Sequence, residues 1–139
     1  MCLYTISAVY EKPTNKVEEV YKAFYYSTAG IIRFPMQGGY PTIGKWMKAK
    51  GPRLPVEYGN IDASITYPSG FHAHVSERAC KEAWGDASRL ILKVKFRKVV
   101  ARGKQDGLCI VAKEMYIPKS ELKKALKKKG FDYANSSKC

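Results

Sequence analysis

Between Leu90 and Ile117 the chain alternates so regularly that few folds can accommodate it. Leu90, Leu92, Val94 and Phe96 are separated by Ile91, Lys93, Lys95 and Arg97, a period of two that turns one apolar face inward and a mostly basic face outward. Gly103-Lys104-Gln105-Asp106-Gly107 reads as a turn, and Leu108 to Ile117 as the returning strand. A long β-hairpin over about residues 89–117 is therefore the frame on which the rest must be hung. Two short helices flank it. Ser76-Glu77-Arg78 opens one over about 76–84, with Ser76 as N-cap, Glu77 favoured by the helix dipole, an apolar stripe of Ala79, Cys80, Ala83 and Trp84, and Gly85 as the stop. Pro118-Lys119-Ser120 caps a second over about 120–129, whose Leu122, Ala125 and Leu126 face inward and whose lysines face outward, with Gly130 ending it.

The first half is less regular. Leu3 to Val9 reads as a strand and Phe71 to Val75 as another. Val17 to Tyr26 fits two patterns: Val17, Val20, Tyr21 and Phe24 suit a helix face, while Val20, Lys22, Phe24 and Tyr26 suit a strand face, with the dense aromatics favouring the strand at its end. Residues 28–60 carry many glycines and prolines and predict short extended pieces such as Ile31 to Phe34 joined by turns, anchored to the core by Trp46 and Met47. So long a stretch of little regular structure is often functional. The expected architecture is a single α+β domain over residues 1–131, mainly an antiparallel sheet, followed by a flexible tail at 132–139.

Composition narrows the function classes. No apolar run approaches the roughly 20 residues that cross a bilayer as a helix. Met1-Cys2-Leu3-Tyr4 has no basic region leading into an apolar block, so a secretory leader is not expected. The four cysteines, Cys2, Cys80, Cys109 and Cys139, form no C-x-x-C pair and read as reduced thiols in a cytosol-like compartment. The formal charge of +13 is distributed unevenly: residues 1–86 hold 10 Lys/Arg against 8 Asp/Glu, and residues 87–139 hold 15 against 4. That asymmetry points to a polyanionic partner: nucleic acid, an anionic membrane surface or an acidic protein surface. The expected contact residues are Lys93, Lys95 and Arg97 on the strand and Lys123, Lys124, Lys127, Lys128 and Lys129 on the last helix. Lysine outnumbers arginine here, which suits phosphate attraction better than base reading.

Two other constellations could carry chemistry. His72 and His74 share a strand face by alternation and could hold a metal or move protons. No spacing demands a third ligand from Cys80, Cys109 or an acid, and no metal site is assigned; otherwise one histidine is bonded in the core and the other exposed. Glu114 lies within an otherwise apolar strand, where burial would raise its pKa and fit it to act as a base, unless a neighbouring lysine pairs with it. No P-loop and no nucleophile elbow is present.

Tyr67-Pro68-Ser69-Gly70-Phe71-His72-Ala73, the helix 76–84, the strand 90–101 and Ala112-Lys113-Glu114-Met115-Tyr116-Ile117 resemble a loose group of small phage and large-virus proteins that share a G-F-H-A strand, a short helix and a long hairpin. The resemblance covers about residues 67–117. It implies a virus-encoded accessory or virion-associated protein, in the host cytoplasm or the virion, with viral assembly partners. More distantly the same order is similar to the ADP-ribosyltransferase core. That likeness implies an NAD cofactor, Glu114 as the catalytic acid polarising the ribose, and Tyr67 or His72 beside the nicotinamide. The first-strand His or Arg of such enzymes has no counterpart, and Ala112 stands where the Glu/Gln-x-Glu pattern has its first member. A purely structural capsid or assembly component is a third class, in which residues 28–60 are ordered by neighbouring chains.

Overall fold

The computed structural model describes residues 3–27, 31–34, 39–51, 53–55, 66–85 and 89–130. The expected tail at 132–139 lies outside them. The hairpin is present as β8 (Arg89–Lys104) and β9 (Leu108–Tyr116). Its turn places Asp106 at φ +55° and Gly107 at φ +124°, a left-handed pair in which the glycine meets no steric cost. The ambiguous segment is a strand throughout, β2 (Glu18–Tyr26). It pairs antiparallel with β8 from Glu18↔Phe96 to Tyr25↔Arg89, because the strand pattern buries Val20 and Phe24 beside Val94 and Leu90 and leaves Val17 exposed.

β1 (Thr5–Val9) pairs with the far end of β8, and β3 (Ile32–Arg33) extends β2. β4 (Trp46–Lys48) lies on β9, while β5 (Leu54–Pro55) and β6 (Thr66–Tyr67) form a separate pair. β7 (Phe71–His74) bridges β2 and β9. Since β9 also pairs with β8, the hydrogen bonding runs β8–β2–β7–β9 and back to β8. The four strands thus close into a small barrel, which removes their edges.

Helices α1 (Glu77–Trp84) and α2 (Lys119–Lys128) pack outside the strand ring, α1 against β2, β7 and β8 and α2 against β8. The Ser76 hydroxyl accepts from the Ala79 N–H, as expected of an N-cap, and the Gly85 N–H closes the helix on the Lys81 carbonyl. The apolar stripe of α1 is narrower than expected: Cys80 is buried, while Ala79, Ala83 and Trp84 are half-buried. In α2 the start differs from expectation. Pro118 occupies the N-cap with no side-chain bond, and Ser120 lies inside the first turn. Proline's fixed φ and missing N–H suit it to a helix start.

Leu90, Leu92, Val94 and Phe96 join Val20, Phe24, Phe71, Met115, Leu122 and Leu126 in the main core. The alternation then breaks at Lys98, which sits at φ +58°, and Val99, Val100 and Ala101 are buried in succession. The break lets β8 serve two cores, because Val100 and Ala101 belong to a second cluster with Leu3, Tyr67, Cys109 and Val111. Met47 packs on the main core as expected, whereas Trp46 lies on the opposite face of β4, against Tyr116 at 5.5 Å between ring centres.

Candidate functional site

A groove of about 680 Å³ runs between α1 and α2, with the outer face of β8 as its floor. Lys81 from α1, Arg89 and Lys93 from β8, and Lys124, Lys128 and Lys129 at the end of α2 line it, against two acids, Glu77 and Glu121. The helical period sets the α2 contribution: Lys124 and Lys128 are four apart and share a face. Buried Leu122 and Leu126 hold that helix in place from the other side. Some of this charge is already answered. Lys81 pairs with Glu77 at 3.0 Å, and Lys93 pairs with Glu19 at 3.2 Å, which holds the Lys93 ammonium above its ordinary pKa. Arg89 donates to the Trp84 carbonyl and the Tyr25 hydroxyl and lies over both rings at 5.1–5.2 Å. Among the described residues no carboxylate pairs with Lys124 or Lys128. Glu77 on α1 is nonetheless held below its usual pKa, first by its bond to Lys81 and in part by the fields of Lys128 and Lys93, so the two walls act on one space.

The eight expected polyanion contacts therefore separate. Lys93, Lys124, Lys128 and Lys129 converge on the groove, while Lys123 and Lys127 are exposed on α2 outside its lining. Lys95 stands over the Tyr116 ring at 6.0 Å. Arg97 is committed elsewhere: its Nη2 and Nε lie 2.6 and 2.8 Å from Glu114 Oε1, and its guanidinium covers Trp46 at 4.0 Å. Lys81 and Arg89, which the sequence reading did not select, complete the cationic lining. Their signal was the helix and strand flanking the Gly85 break, which brings both beside Lys93.

Glu114 is buried, and of its two expected environments the ion pair is the one present, not the raised-pKa base. Lys98 at 2.9 Å and Arg97 bond both carboxylate oxygens and hold the carboxyl below its ordinary pKa, outweighing burial. The cation from Lys98 comes across the hairpin rather than from adjacent Lys113. Tyr67 and His72 are together, 2.9 Å between the hydroxyl and Nε2, and both are buried. His72 Nδ1 faces the Gly70 carbonyl at 3.1 Å, so this nitrogen carries the proton and Nε2 accepts from Tyr67, whose oxygen accepts in turn from the Leu3 N–H at 2.7 Å. Burial, reinforced by Lys22, pushes His72 down to about 3, and it stays neutral. Leu3, Tyr67, His72 and Gly70 thus satisfy one another in a single hydrogen-bonded series within the fold. Glu114 lies on the β4 side of β9, opposite Lys48 and Arg97, and does not join Tyr67 and His72.

His74 is also buried, which corrects the expectation that one histidine is exposed; its Nε2 donates to the Gln105 carbonyl at 2.9 Å, and burial lowers its pKa. The two histidines thus serve separate partners, and among the described residues no cluster of three His, Cys, Asp or Glu could hold a metal. The absence of a helix long and apolar enough to cross a membrane likewise applies to the described residues.

A second cavity, about 480 Å³, opens beside β7 and β4. Lys22 lines it from β2. The strand alternation had placed Lys22 on the same face as Val20 and Phe24, and a lysine in that pattern is the signal that the sequence reading left unused. No protein-family model, curated protein or solved structure matches this chain.

Proposed function

We propose that the protein binds nucleic acid without sequence preference, taking the phosphate backbone into the groove between α1 and α2. The observation that carries this reading is the convergence of six cationic side chains on one groove with only two acids among them. Lysine ammonium groups answer phosphate as point charges and read no base pattern. Lys124, Lys128 and Lys129 are the lining cations with no carboxylate pair among the described residues, so about three phosphates are engaged at once. For a single strand this corresponds to a slope of log K against log salt of about −2, or a loss of about 20-fold between 50 and 200 mM salt. The viral accessory or virion role, with its assembly partners, rests on the resemblance over residues 67–117 alone.

The test is fluorescence anisotropy with a labelled oligothymidylate across a salt series. K124E/K128E and K123E/K127E change net charge equally, and only the first pair alters the groove. Loss of binding in the first with retention in the second supports the groove. Equal losses, or a slope flatter than about −1, would show that diffuse charge alone attracts the strand.

A further inference from the structure

Lys22 projects from β2 toward the barrel interior, opposite Leu92, and is 6% exposed. Its Nζ donates to the His72 carbonyl at 2.7 Å and stands 6.0 Å from the centre of the Phe34 ring. Both of those groups are walls of the 480 Å³ cavity, which Lys22 also lines. Among the described residues no carboxylate pairs with this amine. The titratable groups that interact with it include His72, which is neutral, His74, and the buried thiols of Cys80 on α1 and Cys109 on β9, both pushed up to about 12 by burial. A buried ammonium with one carbonyl acceptor and no counter-ion is costly to keep unless the site uses it. The remaining walls divide by character: Phe34, Met47 and Phe71 are apolar, while exposed Lys48 and Lys50 supply positive charge at the rim.

We propose that this cavity binds a small oxo acid, an aldehyde or ketone carrying a carboxylate, and captures it as an imine on Lys22. The carboxylate meets Lys48 and Lys50, and the carbonyl carbon reaches Nζ. The neutral amine's lone pair forms the C–N bond; the carbonyl oxygen takes both amine protons and leaves as water, and a C=N bond remains. Nothing is oxidised or reduced. Desolvation prepares the amine for this attack. Lys22 is lowered to about 8, so at pH 7 its neutral fraction is roughly 300 times that of a lysine at 10.5. The volume falls within the range of small-molecule sites.

The experiment incubates the full chain with glyoxylate and cyanoborohydride at pH 7, then maps the reduced adduct by peptide mass. Lys22 is expected to label at least about tenfold faster than any exposed lysine, part of its neutral-fraction advantage being offset by weaker intrinsic nucleophilicity. K48Q/K50Q should slow labelling by glyoxylate and leave labelling by propanal, which has no carboxylate, unchanged. K22R should remove the fast adduct while keeping a cation in place. Adducts scattered over the exposed lysines with Lys22 unmodified would overturn the proposal. Equal effects of K48Q/K50Q on the two aldehydes would overturn its acid selectivity.

Discussion

Replacing Tyr67 by Phe removes one oxygen and leaves the ring that fills the second core. That oxygen accepts from the Leu3 N–H and donates to His72 Nε2, and Leu3, Tyr67 and His72 are 0, 0 and 4% exposed. Water has no ready route to either orphaned group. Each buried group left unsatisfied costs about 1–3 kcal/mol, and local relaxation recovers part of it, so the expected loss is about 2–4 kcal/mol. An unfolding entropy scaled to 139 residues is about 0.3 kcal/mol per kelvin, which converts that loss to a drop of about 7–14 °C in Tm.

The assay is thermal and urea unfolding followed by circular dichroism, with Tyr40→Phe as the reference because Tyr40 is 75% exposed. The reference should move by no more than about 0.5 kcal/mol. A shift below about 2 °C for Tyr67→Phe, with an unchanged urea slope, would refute the reasoning, since it would mean that the hydroxyl, the imidazole and the amide are not sealed from water as a unit.

Three further outcomes are expected. Glu114→Gln should cost about 1–3 kcal/mol in urea unfolding, because the buried carboxylate binds Arg97 and Lys98, whose partial exposure limits the penalty. Acid should destabilise the protein between pH 6.5 and about 3: the unfolded chain protonates His72 in that window and the folded chain does not, so stability falls with pH. From pH 7 to pH 5 this group alone contributes about 2 kcal/mol of loss, which His72→Phe should abolish in a pH series of urea midpoints. Lys22 shows the same logic at alkaline pH. Its folded pKa of about 8 lies below the unfolded 10.5, so the unfolded state holds the extra proton between them and the wild type gains about 2 kcal/mol from pH 7 to 9.5; Lys22→Met should be more stable than wild type at pH 7 and lose that increment.

The elements that sequence made legible are those where local pattern and tertiary demand agree. The 90–96 alternation, the Asp106-Gly107 turn and the Ser76 cap all act within a few residues, and each appears where the pattern puts it. What pattern could not supply is closure. Whether Val17 to Tyr26 is helix or strand is decided by β8, some 70 residues away, whose length demands a partner along its first half. The same distance hides the ion pairs. Nothing near Glu114 in sequence announces Lys98 and Arg97, because the hairpin register brings them there. Gly70 shows the point in reverse: a side chain at this position would collide with the Ala112 carbonyl, so the glycine of the G-F-H-A strand is required by β9 crossing it closely.

This also explains why net charge overstated the uncompensated charge on the strand. The nearly neutral first half is not inert toward the basic second half. Glu18 bonds Arg102, Glu19 bonds Lys93, and Glu114 absorbs Arg97 and Lys98. Glu18 and Glu19, from the nearly neutral part of the chain, are folded directly onto β8, and Glu114 reaches it from β9. A sheet can do this because each residue on its outer face has cross-strand neighbours within reach. An amphipathic helix packed against β8 has fewer, and α2 carries one acid, Glu121, in its first turn. Its last turn therefore keeps the uncompensated charge. The carbonyl ends of the helix dipole there favour cations, so Lys127 and Lys128 stabilise the helix terminus while no carboxylate among the described residues pairs with them.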